Sequence, residues 1–411
     1  MATNGSPAAD TAPGQGKWLG WWAWAATILF VLWQVDFQFA YGFVADGIQR
    51  ELDLSAGEAT AVAALFLVSY GLMQVPAGLL LDRFGLHTVL PLAGSLGVAS
   101  VAAFAQADSF AELAATRLLA GAAVAFAFPA AGKIARMHLP AGAFALAMAL
   151  ADMCFGVGAV LASWTDDALA HVPWRSLLNG LAIIGAVLTL HLALVLFRIK
   201  QPPATVESRG IPSDLRSLLA RPEIRAACLL YAWGAGMAFG FGGYWNLRLQ
   251  AECGCTAPQV SHLSTALFAG LAGGMGLSGV FGNSPARWRL LLRAGTSGAA
   301  LLLLAILALS ARADETNMQL LLFLFGASLG PSALAFPWAT ANLPPARSAT
   351  AVGLVNAAGC LSGALAEALP AWLGGTQPTQ IAVPVVYLLL AGLGVGVALR
   401  LPAAPVQTAR I

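Results

Sequence analysis

Apolar residues in this chain fall into twelve runs separated by short polar breaks, at about 22–45, 57–80, 89–107, 112–135, 143–164, 176–197, 224–247, 259–281, 290–310, 318–341, 350–372 and 380–400. Each is close to the roughly 20 residues that cross a bilayer as a helix. The pattern predicts an all-α membrane protein of twelve spans. The longest polar stretch, 198–222, divides it into six spans and six. Inside that stretch Ser213–Ala220 has a capping residue and a short apolar stripe, stopped by Pro222. It predicts a small helix lying on the membrane surface. The expected divisions are a disordered tail 1–16, a first bundle 17–197, a linker 198–222, a second bundle 223–401 and a tail 402–411.

Composition agrees with that class. Of 411 residues 59% are hydrophobic and 10% charged, with mean hydropathy +0.76, against about 25% charged in soluble domains. The 44 glycines and 22 prolines suit membrane helices, where small residues allow close packing and neighbours satisfy the carbonyls that proline frees. A net charge of +2 suggests no nucleic-acid partner. The polar start and long first run do not fit a cleavable signal peptide. With the N-terminus inside, sixteen basic residues fall on the cytoplasmic side and only Arg50, Arg175, Arg248 and Arg312 outside. That bias puts both termini in the cytoplasm, in a bacterial inner membrane. Trp18, Trp21, Trp22 and Trp24 crowd the inner end of span 1, and Trp164, Trp174, Trp245 and Trp372 mark outer ends, as aromatic belts do.

The halves repeat. DLSAGEATAVAALF at 53–66 aligns with CTAPQVSHLSTALF at 255–268, an offset of 202. AFAFPAA at 125–131 aligns with ALAFPWA at 333–339, and Asp152-Met153-Cys154 with Ala358-Gly359-Cys360. The loop Gly78-Leu79-Leu80-Leu81-Asp82-Arg83-Phe84-Gly85 aligns with Gly279-Val280-Phe281-Gly282-Asn283-Ser284 at offset 201, its charges gone. Four matches in order at near-constant offset indicate a duplicated six-helix unit.

On these residues the chain resembles the major facilitator superfamily across all twelve spans. Gly78, Asp82, Arg83 and Gly85 match its loop signature between spans 2 and 3, while Leu86 and His87 replace the basic tail. Arg117 and Gly121 match its R-x-x-x-G element in span 4. The span 5 glycine–proline pair linked to antiporters is absent: Phe155-Gly156-Val157-Gly158-Ala159 has no proline. The resemblance implies two pseudo-symmetric six-helix bundles and secondary transport by alternating access. It implies a gate of Gly78, Asp82, Arg83, Gly85 and Arg347, in which Asp82 caps the start of span 11 beside Arg347 and Ser348. It also implies a part for Arg117 in proton coupling, although Arg117 could equally snorkel outward or neutralise a buried acid.

A charge present in one half only is not required by the fold they share. Asp36 aligns near Phe239, Asp82 with Asn283, Arg117 near Leu322, Asp152 with Ala358 and Glu367 near Leu161. An ionisable group in a span costs about 2.5–3.5 kcal/mol on insertion scales, so each needs a partner, a wet cavity or a neutral form. Asp36 either contacts substrate or titrates, or it is a hydrogen-bond partner between helices. It sits away from the shared face of Gln34 and Gln38. Asp152 is either a proton carrier, since burial makes the proton-bound form accessible, or the partner of Arg117 or Lys133. Glu367 is open in the same way. The proton-coupling candidates are therefore Asp36, Asp152, Arg117 and Glu367. Polar and aromatic residues in the spans give substrate-cavity candidates: Gln34, Gln38, Tyr231, Trp233, Trp338, Asn342 and Asn356. Such groups suit a small organic molecule and suit helix packing equally.

Other chemistries lack their residues. No G-x-x-x-x-G-K-[ST] occurs, so no ATP drive is indicated. The five cysteines and five histidines are scattered, which supports no metal and no cofactor. No nucleophile–base constellation points to an enzyme. The expected partners are a small-molecule substrate, protons and the bilayer, with the chain a monomer. The function read from this is a proton-coupled secondary transporter, for efflux of a drug, metabolite or siderophore or for nutrient uptake. The alternative is a non-transporting membrane sensor or assembly factor on the same fold.

Overall fold

The computed structural model describes residues 15–169, 172–199, 211–373 and 379–401. The tail 402–411, most of the linker and the tail up to residue 14 lie outside the described residues. Gln15 and Gly16, assigned above to the tail, instead open the first helix.

All twelve apolar runs are helical. Among the described residues, eleven helical stretches are long and apolar enough to cross a membrane, and span 5 adds the shorter apolar stretch Phe144–Gly158. Spans 1, 2 and 3 are α1 (Gln15–Glu51), α2 (Ala56–Phe84) and α3 (Leu86–Phe104). Span 4 is two helices, α4 (Phe110–Val124) and α5 (Ala127–His138), and spans 5 and 6 are α6 (Phe144–Leu169) and α7 (Trp174–Leu196). After α8 (Ile211–Leu219), span 7 runs through α9 (Pro222–Ala235), a π-helical segment Gly236–Trp245 and α10 (Asn246–Glu252). Spans 8 and 9 are α11 (Ala257–Phe281) and α12 (Pro285–Leu309). Span 10 is α13 (Glu315–Leu329), a 3-10 turn Gly330–Leu334 and α14 (Ala335–Thr340), and spans 11 and 12 are α15 (Ser348–Leu373) and α16 (Ala382–Leu399).

The duplication extends to helix ends. Ser55 and Glu58 form a capping box at the start of span 2, and Thr256 and Gln259 form one at span 8, 201 residues on. Each box satisfies two orphan backbone donors. The residue two before each box is left-handed: Asp53 at φ 50° and Gly254 at φ 94°. Ser109 caps span 4 by accepting from the Glu112 N–H, and Asp314 caps span 10 from the Asn317 N–H. The inner loops diverge. Gly85, at φ 83°, turns the chain between α2 and α3, whereas the matching stretch of the second half has no left-handed residue.

Spans 4 and 10 are broken at related places. Proline removes the bond to the carbonyl four residues back, and Pro129 and Pro337 follow Ala125 and Ala333, where the two breaks fall. A shared sequence thus yields a shared irregularity. Its product is a contact on the pseudo-two-fold axis. Phe128 and Phe336, equivalent in the repeat, pack with ring centroids 5.0 Å apart.

The ends that carry loops 2–3, 4–5, 8–9 and 10–11 form one face of the bundle, called the inner end below. Here the halves close on each other. Span 2 meets span 11, and span 8 meets span 5, through small residues. A Cβ on Gly78 would lie 2.5 Å from the Ala349 carbonyl oxygen, and one on Gly279 would lie 2.8 Å from the Ala149 Cβ. Without a hydrophobic drive between helices in lipid, such close approach is what holds spans together.

Candidate functional site

The loop after span 2 forms a latch between the halves. Asp82 Oδ2 accepts the Thr350 backbone N–H at 2.8 Å and the Thr350 hydroxyl at 2.6 Å, in the first turn of α15. That turn has unpaired N–H groups and the positive end of the helix dipole. Lys133 Nζ, from α5, donates to Asp82 Oδ1 at 3.0 Å and to the Leu81 carbonyl at 2.7 Å. The pair is nearly enclosed, with side-chain exposures of 6% for Lys133 and 11% for Asp82. A second bridge lies one turn further along α5. Arg136 Nη2 donates to the carbonyls of Thr340, Ala341 and Leu343, at the end of span 10. An acid therefore meets a helix start and a base meets a helix end, the two favourable polarities.

Arg83 is exposed, its guanidinium 5.4 Å from the Phe84 ring, and Arg347 lies in the turn Pro345–Arg347 before α15. Asp82 takes its described bonds from Thr350 and Lys133.

At mid-depth a second polar group joins the halves. The Tyr231 hydroxyl, from span 7, donates to Asp152 Oδ1 in span 5 at 2.7 Å. Both are buried, Asp152 to 2% exposure. Asn356 Nδ2, from span 11, donates to the Tyr70 hydroxyl in span 2 at 3.4 Å. Gln34 and Gln74, both wholly buried, lie against that hydroxyl. Yet none of their four amide atoms has a partner at hydrogen-bonding geometry, and neither has Asp152 Oδ2. Cys360 borders the group from span 11, close to Gly71 of span 2. Spans 1, 2, 5, 7 and 11 thus each supply a polar side chain to one buried cluster. A buried amide without a partner costs about 1–3 kcal/mol, so five orphaned atoms in one place are a strong departure from ordinary packing.

The pairing weighed above for Asp152 is corrected. Lys133 is held by Asp82, and Arg117 is elsewhere. Arg117 is 1% exposed and donates to the carbonyls of Phe37 at 3.3 Å and Gln38 at 3.2 Å. Rings of Phe37, Tyr41, Phe66 and Phe104 surround its guanidinium at 4.6–5.7 Å. A desolvated cation–π contact is worth about 2 kcal/mol, so rings and carbonyls stand in for a carboxylate. Glu112, in the first turn of the same span, accepts the Asp108 N–H. Gly121 completes the R-x-x-x-G element by letting span 4 touch span 2: a Cβ there would overlap Ser69 and the Phe66 carbonyl.

The remaining residues scatter. Asp36 is exposed. It is two residues and about 200° around the helix from Gln34, outside the cluster, and no described residue bonds it. Of the two acids, Asp152 is enclosed between the spans and Asp36 is not. Gln38 is half-buried with Oε1 unpaired. Glu367 is exposed, while its carbonyl accepts the Trp245 indole N–H at 2.8 Å. Trp233 is buried against Gly394 of span 12, and Trp338 is buried at the end of span 10. Asn342 is exposed in the inner turn that Arg136 grips and is not part of the mid-depth cluster. Sequence reading missed Tyr70, Gln74, Lys133, Arg136 and Thr350 as site residues. A signal existed: Tyr70, Gln74, Gly78 and Asp82 recur at intervals of four, one stripe along α2. That stripe faces span 11.

The duplicated bundles, the latch and the mid-depth polar cluster define a polytopic helical membrane protein of transporter type. The chain belongs to the Major Facilitator Superfamily, whose sequence profile matches residues 22–367. It is 36% identical over 115 residues to the uncharacterized transporter YybO of Bacillus subtilis (strain 168). That match spans 28% of this chain and only 26% of YybO. The crystal structure of the transporter FucP in the outward conformation superposes with TM-score 0.69 and 17% identity, covering 92% of this chain and 97% of FucP. FucP is described as the E. coli fucose:proton symporter. The proton:xylose symporter XylE, bound to 6-bromo-6-deoxy-D-glucose, gives 0.68 and 14%, covering 92% and 94%. At these identities the two structures establish the fold.

Proposed function

We propose that this protein is a proton-coupled secondary transporter of a small organic molecule, working by alternating access in a bacterial cytoplasmic membrane with both termini inside. The bundles would be 17–197 and 223–401, joined by the linker 198–222. The bond from Tyr231 to Asp152 across the halves carries this reading. Opening the inner end separates span 5 from span 7, which leaves the Asp152 carboxylate buried without its donor. Such a charge is costly, and a proton removes the cost. Proton binding at Asp152 would therefore favour the inward-open state, and substrate at the same cluster would travel with it. That order is symport, in keeping with the descriptions of FucP and XylE.

Asp82, Lys133 and Thr350, with Gly78 and Gly85 shaping the contact and Arg136 beside it, would be the inner gate. Arg117 would hold span 1 to span 4. Asp36 and Glu367 would come next as proton sites if Asp152 is not one. The test uses proteoliposomes with a pH dye inside. Solute added to wild type should acidify the lumen. Asp152→Asn should still exchange solute for solute while proton movement is lost. Wild-type proton movement in that variant would remove Asp152 from coupling.

A further inference from the structure

Given that reading of the mid-depth cluster as the transport site, we infer that the substrate is an uncharged solute bearing several hydroxyl groups. The orphaned atoms specify it. Gln34 and Gln74 each offer an unpaired amide nitrogen and an unpaired amide oxygen, and Asp152 offers one free oxygen. The ligand must therefore donate and accept alternately within a small volume. A hydroxyl does both at one atom, and it satisfies either end of an amide whichever way the amide is turned. Neighbouring hydroxyls on one carbon frame meet the whole set. The Tyr70 and Tyr231 rings add apolar faces for the carbon skeleton beside their hydroxyls.

Charge excludes the other small-molecule classes. An anion needs a cation at the site, and the two buried bases of the first half are engaged. Lys133 is bound by Asp82 and the Leu81 carbonyl, and Arg117 lies in its aromatic cage on the carbonyls of Phe37 and Gln38. A cationic substrate would take the place of the proton at Asp152 and so could not travel with it. A neutral solute leaves Asp152 to the proton.

The test is thermal stability of the purified full-length protein in detergent. Neutral probes are D-glucose, D-mannitol and myo-inositol. D-glucuronate and D-glucosamine keep the sugar ring and add a negative or a positive charge. At least one neutral probe should raise the melting temperature, and its charged counterparts should raise it less or not at all. Gln34→Leu and Gln74→Leu should each lose that shift. Because each removes orphaned polar atoms, neither should lower the melting temperature without ligand, which a merely structural amide would do. No shift with any neutral probe overturns the proposal, as does a shift retained in both variants. If either variant fails to fold, the charge series on wild type decides alone. A carboxylate or organic cation that stabilises the protein instead would leave the transport reading standing with another substrate class. Proteoliposomes that exchange no solute of any charge would remove the transport reading itself.

Discussion

Two pairs of acids show what the duplication kept and what it discarded. Glu51 ends span 1, and Glu252, 201 residues later, ends span 7. Both hold the start of the sixth span of their own half. Glu51 accepts the Trp174 indole N–H at 2.6 Å and Arg175 Nε at 2.9 Å, and Glu252 accepts the Thr379 hydroxyl. Asp82 and Asp152 have Asn283 and Ala358 as counterparts, and both bond across the halves, to Thr350 and to Tyr231. A polar contact inside a half is needed twice, so both copies retain it. A contact between halves needs its charge on one side only. The repeat thus separates charges that build a bundle from charges that govern the meeting of two.

The comparison can be broken most forcefully at Asp152. Asp152→Asn should cut proton-driven accumulation by about tenfold or more, the factor corresponding to 1.4 kcal/mol of lost coupling, and Ala358→Asp should not restore it. Restoration by Ala358→Asp would show the halves to be interchangeable. The close approaches come next. Gly78→Val and Gly279→Val should each destabilise the inner-closed state by about 1–3 kcal/mol, the usual cost of overpacking. A lowered melting temperature in one variant but not the other would mean that the two contacts are not equivalent.

At the latch, Asp82→Asn removes the charge from three hydrogen bonds, two from Thr350 and one from Lys133, and a bond to a charged group is worth about 1.5–3 kcal/mol. Labelling of a cysteine placed at the inner end should rise, and Asn283→Asp, which is exposed and has no Lys133 equivalent because Ala341 stands there, should leave labelling unchanged. Equal effects of the two substitutions would sink the asymmetry. The smallest effect is expected at the outer clamp. Hydrogen bonds from Trp174 and Arg175 hold the Glu51 carboxyl below its ordinary value of 4.5. A depressed carboxylate contributes stability that is complete above the unfolded value and disappears as pH falls through the folded one. Glu51→Gln should therefore melt slightly below wild type at neutral pH. The two melting curves should converge as pH falls through that lowered value. A gap that persists in acid would show that the clamp does not depend on the charge.

The stripe Tyr70, Gln74, Gly78, Asp82 shows how much of the site was legible. Its spacing is visible in the chain, and the glycine and the acid were read from it. What lies opposite was not, because Thr350 is 268 residues away. Asp152 was likewise marked as a charge without a counterpart, but its partner is a tyrosine in the other half. The fold was more accessible than the site, since each span announces itself by its own hydropathy. The breaks in spans 4 and 10 were overlooked although Pro129 and Pro337 encode them. The glycines Gly236, Gly240, Gly242 and Gly243 accompany the π-helical stretch of span 7 in the same way.

By itself the sequence determined twelve spans, the duplication and the acids that one half lacks. Those features rest on interactions within about four residues or on comparison of one half with the other. Only tertiary structure decided that Lys133 answers Asp82, that Arg117 is answered by rings and carbonyls, and that Gln34, Gln74 and Asp152 share one buried space. The physical reason is that a carboxylate, a carbonyl and an aromatic face can each satisfy a buried donor or charge. Which of them is within reach depends on helix crossings that no local pattern records.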